Sequence, residues 1–147
     1  MIIHEEGYVY NFNYHLVFVT KYRQKIFDTK EKVETMESIL RRQAEISDVT
    51  VNELEVMPDH VHMLISFKPK YAASNIVKNI KGASARIWFK KYPETKAMLW
   101  GGHLWSPSYY MGTLGEMSKE VVENYIASQY TEAMKSQLKG YYGNKNK

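Results

Sequence analysis

Alternation of apolar and polar side chains dominates the first part of the chain. From Tyr8 to Thr20, residues Tyr10, Phe12, Tyr14, Leu16 and Phe18 recur at every second position, which predicts one strand with those five on a single face. Lys21, Tyr22, Arg23, Gln24 and Lys25 then form a basic turn, after which the period lengthens. Val33, Met36, Leu40 and the Gln43/Ala44 position predict a helix over 29–46, opened by a capping box between Asp28 and Glu31. Val49–Val56 and His60–Phe67 read as strands joined by the short turn Met57-Pro58-Asp59, hence as an antiparallel hairpin. A second helix follows over Ala73–Lys91, with Ile76, Val77, Ile80, Ala83, Ile87 and Trp88 on one side and Lys78, Lys81, Arg86 and Lys90 on the other. Beyond Gly101 and Gly102, Leu104–Tyr110 reads as a short strand that Pro107 confines to an edge or a bulge. Ser118 caps a last helix running to about Leu138, before Gly140 and a polar tail.

The element order is strand, helix, strand, strand, helix, strand, helix. That order predicts an α+β domain of the ferredoxin-like, split βαβ kind: an antiparallel sheet with two helices on one face and an additional C-terminal helix. One domain over residues 1–139 and a flexible tail over 140–147 fit the 147-residue length. Hydrophobic residues at 44% and charged residues at 24% exclude a disordered or fibrous chain. Without a long apolar run or a signal-peptide start, the expectation is a cytoplasmic protein with no membrane partner.

The absence of cysteine restricts any metal site to His, carboxylate or amide donors. A formal charge of +4 and 14% aromatic residues are compatible with a nucleic-acid partner, although solvated basic faces look the same. Lys21, Arg23 and Lys25 near the first strand, and Lys78, Lys81, Arg86 and Lys90 on the second helix, are the candidate phosphate-tracking groups.

Two small constellations bear chemistry. His60 and His62 lie two apart in a strand, so both leave the same face and can share a metal ion; two unrelated strand histidines show the same spacing by chance. Tyr125 and Gln129 lie at i and i+4 of the last helix and share a face, compatible with a nucleophile and a metal-binding amide or with ordinary packing beside Val121, Val122 and Ile126. Tyrosine, with a pKa of about 10, attacks efficiently only where a cation polarises its target. Asp59 reads as a turn residue that can also orient a histidine; His4, His15 and His103 have no partner that spacing identifies.

The segments YHLVFVTKYR, MPDHVHMLISF, LWSPSYY and ENYIASQ, in that order over nearly the full length, resemble the single-tyrosine HUH transposases of the smallest insertion sequences. The resemblance implies a Mg²⁺ or Mn²⁺ ion on His60, His62 and Gln129, and Tyr125 as the nucleophile that forms a 5′-phosphotyrosine. It also implies single-stranded DNA with hairpins at element ends as substrate, a nucleoid-associated homodimer, and a tyrosine helix able to act in trans, with Gly112 and Gly115 as its joint. A rolling-circle initiator, a relaxase or a non-catalytic nucleic-acid-binding regulator are the alternatives on the same fold.

Overall fold

The structure, a computed structural model, describes residues 3–5, 8–10, 13–99, 101–113 and 118–129, the first two segments as backbone only. A small antiparallel hairpin, β1 (Ile3–Glu5) and β2 (Tyr8–Tyr10), precedes a four-stranded antiparallel sheet of β3 (Tyr14–Val19), β4 (Val49–Val56), β5 (His60–Phe67) and β6 (Tyr110–Thr113). Strand order is β4-β5-β3-β6, as the split βαβ connection requires: α1 (Lys30–Ile46) and α2 (Ala73–Lys91) each bridge non-adjacent strands. The ferredoxin-like α+β expectation therefore holds.

The alternation in β3 sorts its side chains between two cores. Leu16 and Phe18 join Val61, Met63 and Ile65 of β5 beneath α1 and α2, which contribute Met36, Leu40, Ile76, Ile80 and Trp88. Val17 and Val19 face the other way, into a smaller cluster with Ile126 and the partly buried Tyr110, Val122 and Tyr125. Ile126 belongs to the third helix, whose described part spans 119–129. The sheet is thus covered on both faces, by α1 and α2 on one and by the Tyr125 helix on the other.

Several boundaries differ from the sequence reading. The first strand is interrupted: β2 and β3 are separate, and Asn13 at the break is buried, accepting at 2.7 Å from Asn52 beside the β4 bulge between Val51 and Glu53. Thr29, not Asp28, caps α1, through its hydroxyl and the Lys32 amide; Asp28 instead pairs with the Lys32 ammonium. On α2, Ser84 is buried where Ala83 and Ile87 were expected, because its hydroxyl accepts from Trp105 Nε1 and donates to the Lys81 carbonyl. The last sheet strand begins at Tyr110; residues 104–109 form a loop attached by a single bridge between Thr20 and Trp105. Pro107 has no N–H for a ladder, which accounts for the shift. Gly101 and Gly102, at φ of 83° and 70°, reverse the chain into that loop with a left-handed backbone that favours glycine. Gly112 is a paired strand residue opposite His15, not part of a joint; Gly115, the end of the last helix, Gly140 and the tail lie outside the described residues. Among the described residues no helix is long and apolar enough to cross a membrane.

Candidate active site

His60 and His62 lie on the sheet face opposite α1 and α2, each held by a different partner. His60 opens β5 directly after the turn, and its Nδ1 lies 2.7 Å from Asp59 Oδ1. Asp59 is only 8% exposed, and its other oxygen accepts from Arg23 Nε at 2.8 Å. Burial alone would raise the Asp59 pKa, but the hydrogen bonds from His60 and Arg23 outweigh it and hold the carboxyl below its ordinary value. An ionised carboxylate only accepts, so the His60 proton sits on Nδ1 and the lone pair of Nε2 is left for a ligand.

The backbone around Asp59 is fastened as firmly as the side chain. Its carbonyl accepts from the Thr20 amide at 2.9 Å and from Thr20 Oγ1 at 3.1 Å. Tyr22 and Arg23, which follow, both have left-handed φ values, 58° and 49°. Two successive non-glycine residues in that region cost about 1–3 kcal/mol each, and the turn so formed carries the Arg23 guanidinium to Asp59.

His62 is engaged at its other ring nitrogen. Strand pairing sets Val17 opposite His62 and His15 opposite Leu64, so His15 shares the histidine face. His15 Nδ1 lies 2.7 Å from His62 Nε2, with the ring centroids 4.9 Å apart. Burial, and secondarily the neighbouring His15, lowers the His62 pKa, which keeps the ring neutral and able to bind a cation.

Tyr125 and Gln129 share a face of the third helix, as their spacing predicts, but their contacts are not with the histidines. Ser108 Oγ donates to Gln129 Oε1 at 2.7 Å, Ser106 Oγ donates to the same oxygen at 3.2 Å, and Tyr125 Oη lies 2.9 Å from Ser108 Oγ. With its single proton directed to Gln129, Ser108 accepts from Tyr125. Burial pushes the Tyr125 hydroxyl above its ordinary pKa. The 106–108 loop is itself braced: Lys81 Nζ donates to the carbonyls of Ser106 and Ser108 at 2.7 and 2.9 Å, and the Ser106 amide donates to Val19 O at 2.9 Å.

The cavity in front of the histidines, about 640 Å³, has His15, His60, His62, Arg23 and Glu55 on its sheet side and Val122, Glu123 and Ile126 on its helix side; neither Tyr125 nor Gln129 lines it. Among the described residues no three His, Cys, Asp or Glu side chains are arranged to hold a metal ion. The imidazole donors on this face are His60, whose Nδ1 is held by Asp59, and His62, whose Nε2 faces His15.

Of the remaining sequence candidates, Lys78, Arg86 and Lys90 are exposed on α2 and Lys21 is partly buried in the 3-10 turn Lys21–Arg23. Lys81, expected on the solvated side, instead turns inward to the 106–108 carbonyls. Sequence reading missed His15, Ser106 and Ser108. Alternation places His15 opposite in sense to Leu16, but only the β3–β5 register brings it to His62.

A split βαβ domain with a histidine pair on the sheet face opposite α1 and α2, and a tyrosine-bearing helix laid across that face, defines a narrow class of α+β proteins. The chain belongs to the IS200-like transposase family, whose profile matches residues 8–129. It is 44% identical over 124 residues to the ISDra2 transposase TnpA of Deinococcus radiodurans, covering 84% of this chain and 88% of that protein. It is 32% identical over 123 residues to the transposase of insertion sequence IS200 from Salmonella typhimurium, covering 84% and 80%. A crystal structure assigned to a transposase of Deinococcus radiodurans R1 superimposes with a TM-score of 0.81 at 39% identity, over 87% of this chain and 98% of the other. The fold is shared at 12% identity and a TM-score of 0.51 with a REP-associated tyrosine transposase bound to a REP hairpin, over 92% and 74% of the two chains.

Proposed function

We propose that this chain cleaves and rejoins single-stranded DNA at insertion-sequence ends by transesterification, with Tyr125 as nucleophile. Membership of a transposase family supports DNA transposition as the process, and the REP hairpin bound by the REP-associated tyrosine transposase supports a hairpin as substrate. The observation that carries the reading is the placement of Tyr125 and Gln129 on one face of a helix that covers the histidine sheet face, with His60 Nε2 left free by Asp59.

Tyr125 Oη attacks the scissile phosphorus; the bond from phosphorus to the 3′ oxygen breaks as the new ester forms. The phenolic proton is lost to solvent, and the departing 3′ oxygen takes one up from solvent, so the protons balance. The phosphotyrosine conserves the ester, so a later 3′-hydroxyl reverses the step and reseals DNA without an external energy source. His60, His62 and Gln129 would hold a Mg²⁺ or Mn²⁺ ion, which would supply positive charge to polarise the phosphate. His60 and His62 position that charge, and Asp59 and Arg23 fix the His60 ring. Because Tyr125 and Gln129 rest on Ser106 and Ser108 of their own chain, the helix reaches a histidine pair only after leaving that loop, and a homodimer offers the partner's pair as the destination.

The test is incubation with labelled hairpin-containing single strands and Mg²⁺ or Mn²⁺, followed by a denaturing gel. A covalent adduct is expected, lost in Tyr125→Phe and on chelation. Tight binding without adduct across many hairpins would instead favour a regulator.

A further inference from the structure

The cavity between α2 and the 102–109 loop, about 440 Å³, lies on the other side of that loop's serines and has no role in the reaction described above. Its volume falls in the range of about 300–1,000 Å³ typical of small-ligand sites. Among the described residues, three lysines line it, Lys78, Lys81 and Lys96, together with His103, and no carboxylate does. Phe89 and Tyr109 add aromatic surface; Tyr109 is 36% exposed, and Lys96 Nζ sits 5.2 Å from the Phe89 ring centroid.

Lys81 is the unusual member. Two of its three ammonium protons go to the Ser106 and Ser108 carbonyls. Burial lowers its pKa to about 8, and among the described residues no carboxylate contributes a counter-charge to this cation, which is withdrawn from water. Such an arrangement is stabilised by an anion, and cations beside exposed aromatic rings match a nucleotide: phosphate for the first, base for the second. The position matters as well. Ser106 and Pro107 line this cavity, while the hydroxyls of Ser106 and Ser108 hold Gln129 and Tyr125. A strand seated here would run past the residues that hold the nucleophile.

We propose that this cavity is a nucleotide subsite for single-stranded DNA, with a phosphodiester on Lys81 and its base against Tyr109. The inference rests on the transposase reading for the identity of the strand. Engaging Lys81 draws on the ammonium that braces the 106–108 loop, so an occupied subsite loosens the seat of Tyr125.

The test uses the full chain, ¹³C-labelled at lysine and tyrosine, titrated by NMR with the dinucleotide d(TpT), with inorganic phosphate and with thymidine. Saturable shifts at Lys81 and Tyr109 together are expected for d(TpT), with the Lys81 titration midpoint moving upward. Phosphate shifting Lys81 while d(TpT) leaves Tyr109 unmoved would reduce the cavity to a simple anion site and overturn the nucleotide assignment. Shifts confined to Lys90, which lies outside the cavity, would overturn it too. Lys81→Met removes the cation at similar length; because it also disturbs the loop, a second variant, Lys96→Gln with Tyr109→Ala, leaves Lys81 in place. Each is expected to weaken binding of a labelled oligothymidylate about 10-fold and to flatten its salt dependence. Unchanged affinity in the second variant would overturn the subsite. Adduct formation on hairpin DNA reads the transposase assignment separately: adduct without d(TpT) shifts leaves that reading intact and removes the subsite, and shifts without adduct do the reverse.

Discussion

His15 Nδ1 lies 2.7 Å from His62 Nε2, across the central β3–β5 pair of the sheet. The lone pair or proton on His62 Nε2 is therefore directed at His15, whereas His60, held at Nδ1 by Asp59, keeps Nε2 open. For His62 to offer Nε2 to a cation, His15 would first have to be displaced. A hydrogen bond of this kind is worth about 0.5–1.5 kcal/mol net, so His15→Ala is expected to bind Mn²⁺ roughly 2- to 10-fold more tightly, measured by calorimetry. Weaker binding would show that His15 supports the cation instead of competing with it.

Asp59 makes the opposite contribution. Asp59→Asn keeps the shape but removes the charge shared by Arg23 and His60, and Mn²⁺ affinity is expected to fall about 10- to 100-fold. Its folded pKa lies below the ordinary 3.8, so the stability it contributes is present above that value and is lost as pH falls through the folded one. Urea denaturation at acidic pH is expected to show a shallower loss for Asp59→Asn than for the parent chain.

The contrast between these two histidines also marks what the sequence could reveal. β4, β5 and α2 have the spans that periodicity predicts, because each is bounded by a turn or proline signal and packs one regular face. The His60 and His62 pair follows from period two alone. His15 is 47 residues from His62, and their contact depends on strand register, which alternation does not specify. Ser106 and Ser108 were read as strand residues; Pro107 and the Lys81 brace make them a loop that receives the third helix. Lys81 was read as solvated because helical spacing places it at the edge of the apolar stripe, where a long side chain can turn either way.

Ser108 joins Tyr125 and Gln129 through one hydroxyl, so Ser108→Ala breaks both contacts at once. Loss of the two bonds is expected to cost about 1–3 kcal/mol of helix docking, read as faster amide exchange over 119–129 with the sheet amides unchanged. Equal exchange in the two proteins would show that the apolar cluster around Val17, Val19 and Ile126, with the Ser106–Gln129 bond, seats the helix without Ser108.

Lys81 gives a pH signature at the alkaline end. Its folded pKa of about 8 lies below the 10.5 of an ordinary lysine, so between those values the unfolded chain binds more protons and unfolding free energy rises with pH. Below about pH 8 both states are protonated and the contribution is constant. Lys81→Met is expected to flatten the stability curve between pH 8 and 10.5 in chemical denaturation, relative to the parent chain.

Docking across a dimer yields the most direct prediction. Within one chain the helix turns Val122, Glu123 and Ile126 toward the histidine cavity and Tyr125 and Gln129 toward Ser106 and Ser108. Rotating the helix in place would take Ile126 out of its packing against Val17 and Val19, so delivery of Tyr125 to a partner's histidines is the less costly route. A His60→Ala, His62→Ala chain and a Tyr125→Phe chain are each expected to form no phosphotyrosine adduct. When the two are refolded together, the heterodimer contains one site with both histidines and tyrosine intact if the helix acts in trans, and none if it acts in cis. Recovery of adduct on hairpin DNA is the expected result; continued inactivity of a verified heterodimer would place Tyr125 on its own chain's histidines.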